Sequence, residues 1–411
     1  MKRYRKTTIS QYIVIGIFLT IVLSIGLTSF ILMQRLSFIA HFVIPWAAGR
    51  AWLLEGLSPY DQGVIDVAET SINASGYQAV LPSRLELISP VISLVFYLPL
   101  SLLPYTVSRV IWVTLLIIGI VLIGYLSLLF AEWKISKLEH IFAIVLIIIW
   151  LPTVYSAISG RIEPLIILIM LLSIKLIMSG QESSAGFLMA LTAGSLPISI
   201  LVLILLITWS ISHRKWAFIT AFLSAFTFLI AIFTLMLPDW PLDWFGNIFG
   251  EFQDWNWIET PIMELATILP GIAYFLSISL HVIFIIYTIY LIISALGKNT
   301  LVFIWKTAAI LTVSFLLHVQ GDLPHLFLVI PAMFLVYRFL SERWQLVGKL
   351  VSWGLFLLFF IGPWFLILPE LNMDGELRLN ILFIGLPILI LGSLIWLRWW
   401  AMKIPHLHYE M

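Results

Sequence analysis

Residues 10–33, SQYIVIGIFLTIVLSIGLTSFILM, run for 24 positions without a charged side chain. A stretch that long and apolar matches the thickness of a bilayer's hydrocarbon when coiled as a helix. The same freedom from charge recurs at 383–397, FIGLPILILGSLIWL. Inside hydrocarbon every backbone N–H and C=O must find a partner within the protein, so an isolated span is helical, and no alternating strand pattern competes. With 62% hydrophobic and 10% charged residues among 411, the chain reads as an all-α integral membrane protein, a polytopic helical bundle. Further apolar segments lie near 88–103, 105–130, 140–158, 164–178, 185–209, 217–237, 271–295, 301–317, 323–340, 350–368 and 379–398, giving about twelve membrane segments. The expected organisation is one polytopic domain over 1–411. It has a cytosolic start at 1–9, a first span at 10–33, a first outer loop with interfacial helices at 34–87, the remaining membrane segments at 88–398 and a cytosolic tail at 399–411.

The distribution of charge orients these segments. MKRYRK precedes an apolar run longer than a cleavable signal core, so the start reads as an uncleaved anchor with the amino terminus inside. Two segments are irregular: 88–103 begins and ends near proline, and 185–209 is broken by GSLP at 194–197. Either both are single spans, or the first stays outside and the second is a hairpin of two half-helices. The hairpin version places Lys134 and Lys137 in the cytosol, as the positive-inside rule asks, with 16 of the 22 Lys and Arg inside and 16 of the 21 Asp and Glu outside. Both termini are then cytosolic, and a cell membrane is the expected location.

Several functional classes fall away. The chain has no cysteine, which removes thiolate catalysis, iron-sulfur clusters and cysteine zinc sites. A net charge of +1 argues against nucleic acid as a partner, and no P-loop or dinucleotide fingerprint is present. Deep membrane positions are nearly free of charge, which disfavours a lipid or solute transporter. Lys175 and Lys306 fall near predicted cytosolic ends, where a long side chain can snorkel out. Chemistry is expected at the outer interface.

The first loop gathers polar groups. HFVIPWAAGRAWLLEGLSPYD, 41–61, puts Trp46, Arg50 and Leu53 or Leu54 on neighbouring turns, so 42–56 can lie along the membrane surface with Arg50 and Glu55 toward water. SPYD then turns the chain, because Pro59 fixes its own backbone and restrains Ser58. In HVQGDLPH, 318–325, Asp322 and His325 are three apart and can share a helix face, orient one another or bind a cation. Asp322 can equally cap a helix starting at Leu323-Pro324. No third metal ligand is recognisable, so no metal is assigned. Trp240, Trp244, Trp255 and Trp257 in the loop 238–261 suit an aromatic belt or a sugar-stacking surface.

The order of these motifs carries a resemblance. A first span, an A-A-x-R-A helix at 47–51, a G-x-x-PY turn at 56–60, an LPLSLLP segment at 98–104, then GR at 160–161, AGFLMALTAGSLP at 185–197 and D-x-x-H at 322–325 resemble the GT-C membrane glycosyltransferases, most of all glycosyltransferase family 87. The resemblance implies a GT-C-like fold, a polyprenyl-phosphate-linked sugar as donor, and inverting transfer of a mannose-like hexose to an acceptor at the outer face. The acceptor's identity is open, as are the sugar and any divalent cation; no cofactor is firmly implied. In the family an Asp opens the first-loop motif as general base. His41 stands at that place here, with Asp61 and Asp66 as alternative carboxylates, and neutral imidazole can take a proton near pH 7. The family's Lys before the proline of the broken segment is replaced by Leu196. The donor phosphate is then expected on Arg50, Arg84 or Arg161, whose guanidinium fork suits its oxygens. Tyr60, Asp322, His325 and His318 are expected to line the cavity. A catalytically inactive lipid-binding or complex-forming subunit is the alternative, with a transporter behind it.

Overall fold

The computed structural model describes Ser24, Ile31 and residues 38–39, 41–76, 79–80, 89–252, 260–263, 271–318, 322–367 and 376–402. Apart from Ser24 and Ile31, the first span 10–33 lies outside the described residues, as do Arg84, Trp255, Trp257 and the tail from 403. The chain divides into two compact units. The first comprises 1–87, 94–118 and 156–162; the second comprises 88–93, 119–155 and 163–411.

In the first unit a minimal parallel pairing of β1 (Phe38–Ile39) with β2 (Ala79–Val80) joins the two ends of the loop between them. Within it, α1 (Val43–Arg50) runs into a single π turn at Ala51–Glu55, and α2 (Gly63–Ser75) follows. The interfacial placement expected for 42–56 is not confirmed by the packing. Val43, Ile44, Trp46, Ala47, Ala48, Gly49 and Ala51 are all buried, so α1 is enclosed on nearly every side, and only its continuation from Leu53 to Gly56 is exposed. Small residues explain the enclosure. A Cβ on Gly49 would collide with Ser101 Oγ, so the AAGRA run lets α1 touch the short helix α3 (Leu98–Ser101) backbone to side chain. Three hydrogen bonds lock the pair: Trp46 Nε1 donates to the Leu100 carbonyl at 3.0 Å, Ser101 Oγ to the Trp46 carbonyl at 3.0 Å, and Arg50 Nη1 to the Ser101 carbonyl at 3.2 Å.

The proline-bounded segment near 88–103 is not a span. It winds as a 3-10 turn at Val91–Phe96 and then α3. Helix α4 (Tyr105–Ala131) follows and is long enough to cross. Next, α5 (Lys137–Ile149) and α6 (Leu151–Ser159) meet at 50°. The break falls at Trp150 (φ −60°, ψ 139°), two residues before Pro152, which lacks an N–H to continue the helical bonding. Thr153 Oγ1 donates to the Ile147 carbonyl at 2.6 Å and so satisfies a group at the break. Trp150 at the corner is fully buried against Phe327, Phe359 and Phe360.

The rest of the second unit is built from returning helices. After α7 (Glu163–Met178) come α8 (Glu182–Leu191), a 3-10 turn at Thr192–Ser195, α9 (Leu196–Ser212) and α10 (Trp216–Met236). A straight helix over 182–212 would separate its ends by about 45 Å. Yet Lys215 Nζ lies 3.3 Å from Glu182 Oε1 and 3.0 Å from the Ile177 carbonyl. The chain therefore folds back at the turn, where Ser195 leaves helical dihedrals (φ −136°, ψ 52°), and 182–212 is a hairpin of two half-helices. Its tip rests on the start of the proline-bounded segment, because a Cβ on Gly194 would stand 2.6 Å from Ser93 Cα. Beyond α11 (Trp240–Phe252), α12 (Ala273–Ala295) and α13 (Thr300–Leu316), a 3-10 turn at Leu323–Val329 enters α14 (Ile330–Ile367). At Gln345 α14 reverses (φ 45°, ψ −118°), and Ser352 Oγ returns to the Tyr337 carbonyl at 3.1 Å. Helix α15 (Glu376–Met402) is the last described element.

Among the described residues, five helical stretches are long and apolar enough to cross a membrane, or six if the bent pair α5–α6 counts as one span. The twelve segments expected from the sequence are not confirmed by this count, which takes 182–212 and 323–365 as one stretch each although both fold back, and which leaves out the first span. Helices α7 and α13 have 16 and 17 residues, fewer than the ~20 a span requires. Arg109, within the apolar run 105–130, is fully buried, and Lys306 does not snorkel: it is 0% exposed, with Nζ 4.7 Å from the centre of the Tyr290 ring. Lys175 is exposed, as a snorkelling lysine would be.

Replacing Gly194 by Ala drives a methyl into the Ser93 backbone and is expected to cost about 1–3 kcal/mol. Gly246→Ala is the control, since nothing lies within 4 Å of that Cβ. Thermal unfolding in detergent should show the first variant several degrees below the parent and the second unchanged or higher.

Candidate active site

The residue at the centre of the first unit's site is placed by its neighbour. Phe42 is 0% exposed and packs within ring-centre distances of 5.9, 6.2 and 5.2 Å of Tyr97, Tyr105 and Trp112. With Phe42 held in this aromatic box, His41 has little freedom to move, and its own side chain is half-buried.

The second restraint comes from the end of α6. A helix leaves its last carbonyls without internal partners, and here four consecutive ones are occupied by groups of the same unit. Arg109 Nη2 donates to the carbonyls of Ala157 and Ile158, the backbone N–H of His41 to that of Ser159 at 2.9 Å, and Trp112 Nε1 to that of Gly160 at 2.8 Å. The cation sits where the negative end of the helix dipole favours it. Gly160 takes φ +77°, and a Cβ there would run into the Arg109 guanidinium and Phe42. The Gly of the GR motif is thus required by backbone conformation and by contact. Arg161 follows directly, half-buried, two residues from the carbonyl that holds His41.

The other first-loop candidates stand differently. Arg50 is half-buried, lies 5.5 Å from the Trp46 ring and spends Nη1 on the Ser101 carbonyl. Asp61 is exposed, and its Oδ1 accepts from the Gly63 N–H at 3.2 Å, a local turn bond. Asp66 is exposed in the first turn of α2. Tyr60 is half-buried, with its N–H 3.4 Å from Ser58 Oγ. Arg84 lies outside the described residues.

In the second unit Asp322 is a capping residue. Its Oδ1 accepts from the Leu323 N–H at 2.7 Å, and its own N–H donates to His325 Nδ1 at 3.1 Å, closing a reciprocal cap on the 3-10 turn. Tyr155 Oη donates to Asp322 Oδ2 at 3.4 Å. His318 and His325 are 8% and 3% exposed, with ring centres 4.0 Å apart. Among the described residues no group of three or more His, Cys, Asp or Glu is placed to hold a metal ion. Of the loop tryptophans, Trp240 is buried, with Nε1 donating to Thr234 Oγ1 at 3.0 Å, and Trp244 packs 6.1 Å from it.

Sequence reasoning missed Arg109, Trp112 and Tyr155. Arg109 carried a signal, because an ionisable residue within an apolar run is a functional or structural site by default. Trp112 and Tyr155 carried none, since aromatic residues are common in every apolar segment of this chain.

Arg109→Met should remove two charge-assisted bonds and leave carbonyls of α6 unsatisfied. The expected loss of stability is about 2–4 kcal/mol. Thermal unfolding should show a large drop, while Asp66→Asn melts with the parent.

Residues 88–260 match the family model of glycosyltransferase family 87. No curated protein matches the chain. The matched stretch contains LPLSLLP, the latch formed by Arg109, Trp112 and the GR turn, and the GSLP hairpin tip. Over that stretch the chain is similar to glycosyltransferase family 87, the family that the motifs in their order also resemble.

Proposed function

We propose that the protein transfers a mannose-like hexose from a polyprenyl-phosphate donor to a hydroxyl acceptor at the outer membrane face, with inversion at the anomeric carbon. The observation that carries this reading is the latch. It ties the main chain of His41 to Ser159, two residues before Arg161, so a base and a cation come from adjacent, fixed backbone. In the proposed step a neutral His41 imidazole takes the acceptor's proton as its oxygen attacks the anomeric carbon. The bond from that carbon to the phosphate oxygen breaks, and Arg161 meets the charge that develops on the departing polyprenyl phosphate. The donor is already activated, so no nucleotide is consumed.

His41 is preferred to Asp61 and Asp66 as the base because both carboxylates are exposed and Asp61 is engaged in its own turn. Arg161 is preferred to Arg50 for the phosphate because it lies two residues from the carbonyl that holds His41. The acidic balance of the outer loops in the sequence supports the outer face, since the cytosolic side takes most of the Lys and Arg.

The test is transfer of labelled mannose from a synthetic polyprenyl phosphate mannose by the purified chain, with product anomers resolved. His41→Ala is expected to lower kcat by about 10²–10⁴ and Arg161→Gln by about 10²–10³, with Asp66→Asn within about twofold of the parent. An active His41→Ala enzyme with an inactive Asp61→Asn or Asp66→Asn variant would move the base to the carboxylate. Transfer from a nucleotide sugar and none from the lipid-linked one would overturn the donor.

A further inference from the structure

At the end of the second unit where α4 finishes and α13 begins, a cavity of about 170 Å³ is walled by Phe130, Trp305 and Phe339 and rimmed by Glu132, Arg338 and Arg398. It lies at the opposite end of α13 from His318, about 20 Å away by helical rise. Arg338 is engaged through two of its nitrogens: Nε donates to Glu342 at 2.9 Å, and Nη1 to the Ala131 carbonyl at 2.9 Å and to Glu132 at 3.4 Å. Those bonds pair Arg338 with both neighbouring carboxylates.

Arg398 is different. It lines the same cavity, is half-buried, and makes no hydrogen bond or ion pair with any described residue. Next to Trp305 in sequence, Lys306 is 0% exposed and its Nζ has no hydrogen-bond partner among the described residues. A cation in apolar surroundings without a counter-charge is costly, and the cost falls when an anion supplies the missing partner. The cavity is too small for a sugar-lipid and large enough for a compact headgroup. Beside it Leu301 is 46% exposed, and offers an outer apolar surface for chains.

We propose that this cavity seats the phosphate of an anionic membrane lipid, gripped by the Arg398 fork, with the lipid chains lying outside along the α13 surface. A guanidinium meets two phosphate oxygens with two parallel N–H bonds, which an ammonium cannot do. The charge distribution in the sequence puts this end of the bundle in the cytosol, where acidic lipids are held against basic residues. A lipid there would join α4, α13, α14 and α15, independently of the transfer reaction.

Native mass spectrometry of the full chain in detergent, with phosphatidylglycerol, phosphatidylcholine of the same chains and inorganic phosphate offered separately, tests the site. The parent is expected to retain one phosphatidylglycerol at least about tenfold more tightly than phosphatidylcholine. Arg398→Gln should lose that preference, Arg398→Lys should keep part of it, and Lys175→Gln, which removes an exposed cation elsewhere, should keep all of it. Equal affinity for the two lipids, or an equal loss in Lys175→Gln, would overturn the proposal. Saturation by inorganic phosphate at the concentration where the lipid binds would reassign the cavity to a soluble anion. If Arg398→Gln fails to fold, Arg398→Lys alone decides, and unchanged binding by it would contradict a fork-dependent grip.

Discussion

The first unit depends on how the last carbonyls of α6 are satisfied. In an apolar environment an unpaired backbone carbonyl costs several kcal/mol, so the chain must supply donors wherever a helix stops inside it. Here Arg109, Trp112 and the backbone of His41 supply them to four successive residues, and Gly160 turns the chain out of the way. The donors come from two separate stretches of sequence, so closing this helix end also joins the first loop to α4. The position of His41 beside the GR turn is a by-product of satisfying the backbone. That gives it the rigid position that the proposed base requires.

Close approach of backbones recurs as the second device. Gly49 against Ser101, Gly194 against Ser93 and Gly186 against the backbone of Phe218 and Phe222 each mark a place where a side chain would force helices apart. Lipid tails are as apolar as leucine, so membrane helices gain little from apolar contact alone, and small residues with tight packing take over the cohesive role. The hairpin of α8 and α9 is held by two such contacts and by the Lys215 to Glu182 pair at its open end. It is a broken element of the kind that membrane proteins tolerate only where protein surrounds it.

Much of this was legible in the sequence. Apolar segments from 105 onward coincide with helices because 3.6-residue periodicity and length are local properties. The hairpin at GSLP and the reversal between 340 and 350 were readable from a Gly-Pro break and a polar interruption. Span number is not confirmed, because α7 and α13, at 16 and 17 residues, are shorter than the ~20 of a typical span. The environment of α1 was not readable, where helical spacing suggested a surface helix. Ala47, Ala48, Gly49 and Ala51 instead bury it, and small residues carry no amphipathic signal. Asp322 was ambiguous between cap and ligand, and only the bonds to Leu323 and His325 show the cap. Arg109 shows how a charge inside an apolar run can be passed over when attention goes to loops. Its partners are carbonyls, which sequence does not display.

The most direct measurement uses the absence of cysteine. With His41→Cys and Ser159→Cys as the sole thiols, a hydrogen-bonded backbone pair brings the two positions within the ~4.4–6.8 Å Cα separation that a disulfide bridges. Oxidation, or a short bis-methanethiosulfonate if the Cβ vectors diverge, is expected to cross-link this pair in the folded protein. Two thiols that both accept a monofunctional label yet never cross-link would contradict the latch, and with it the placement of His41 beside Arg161.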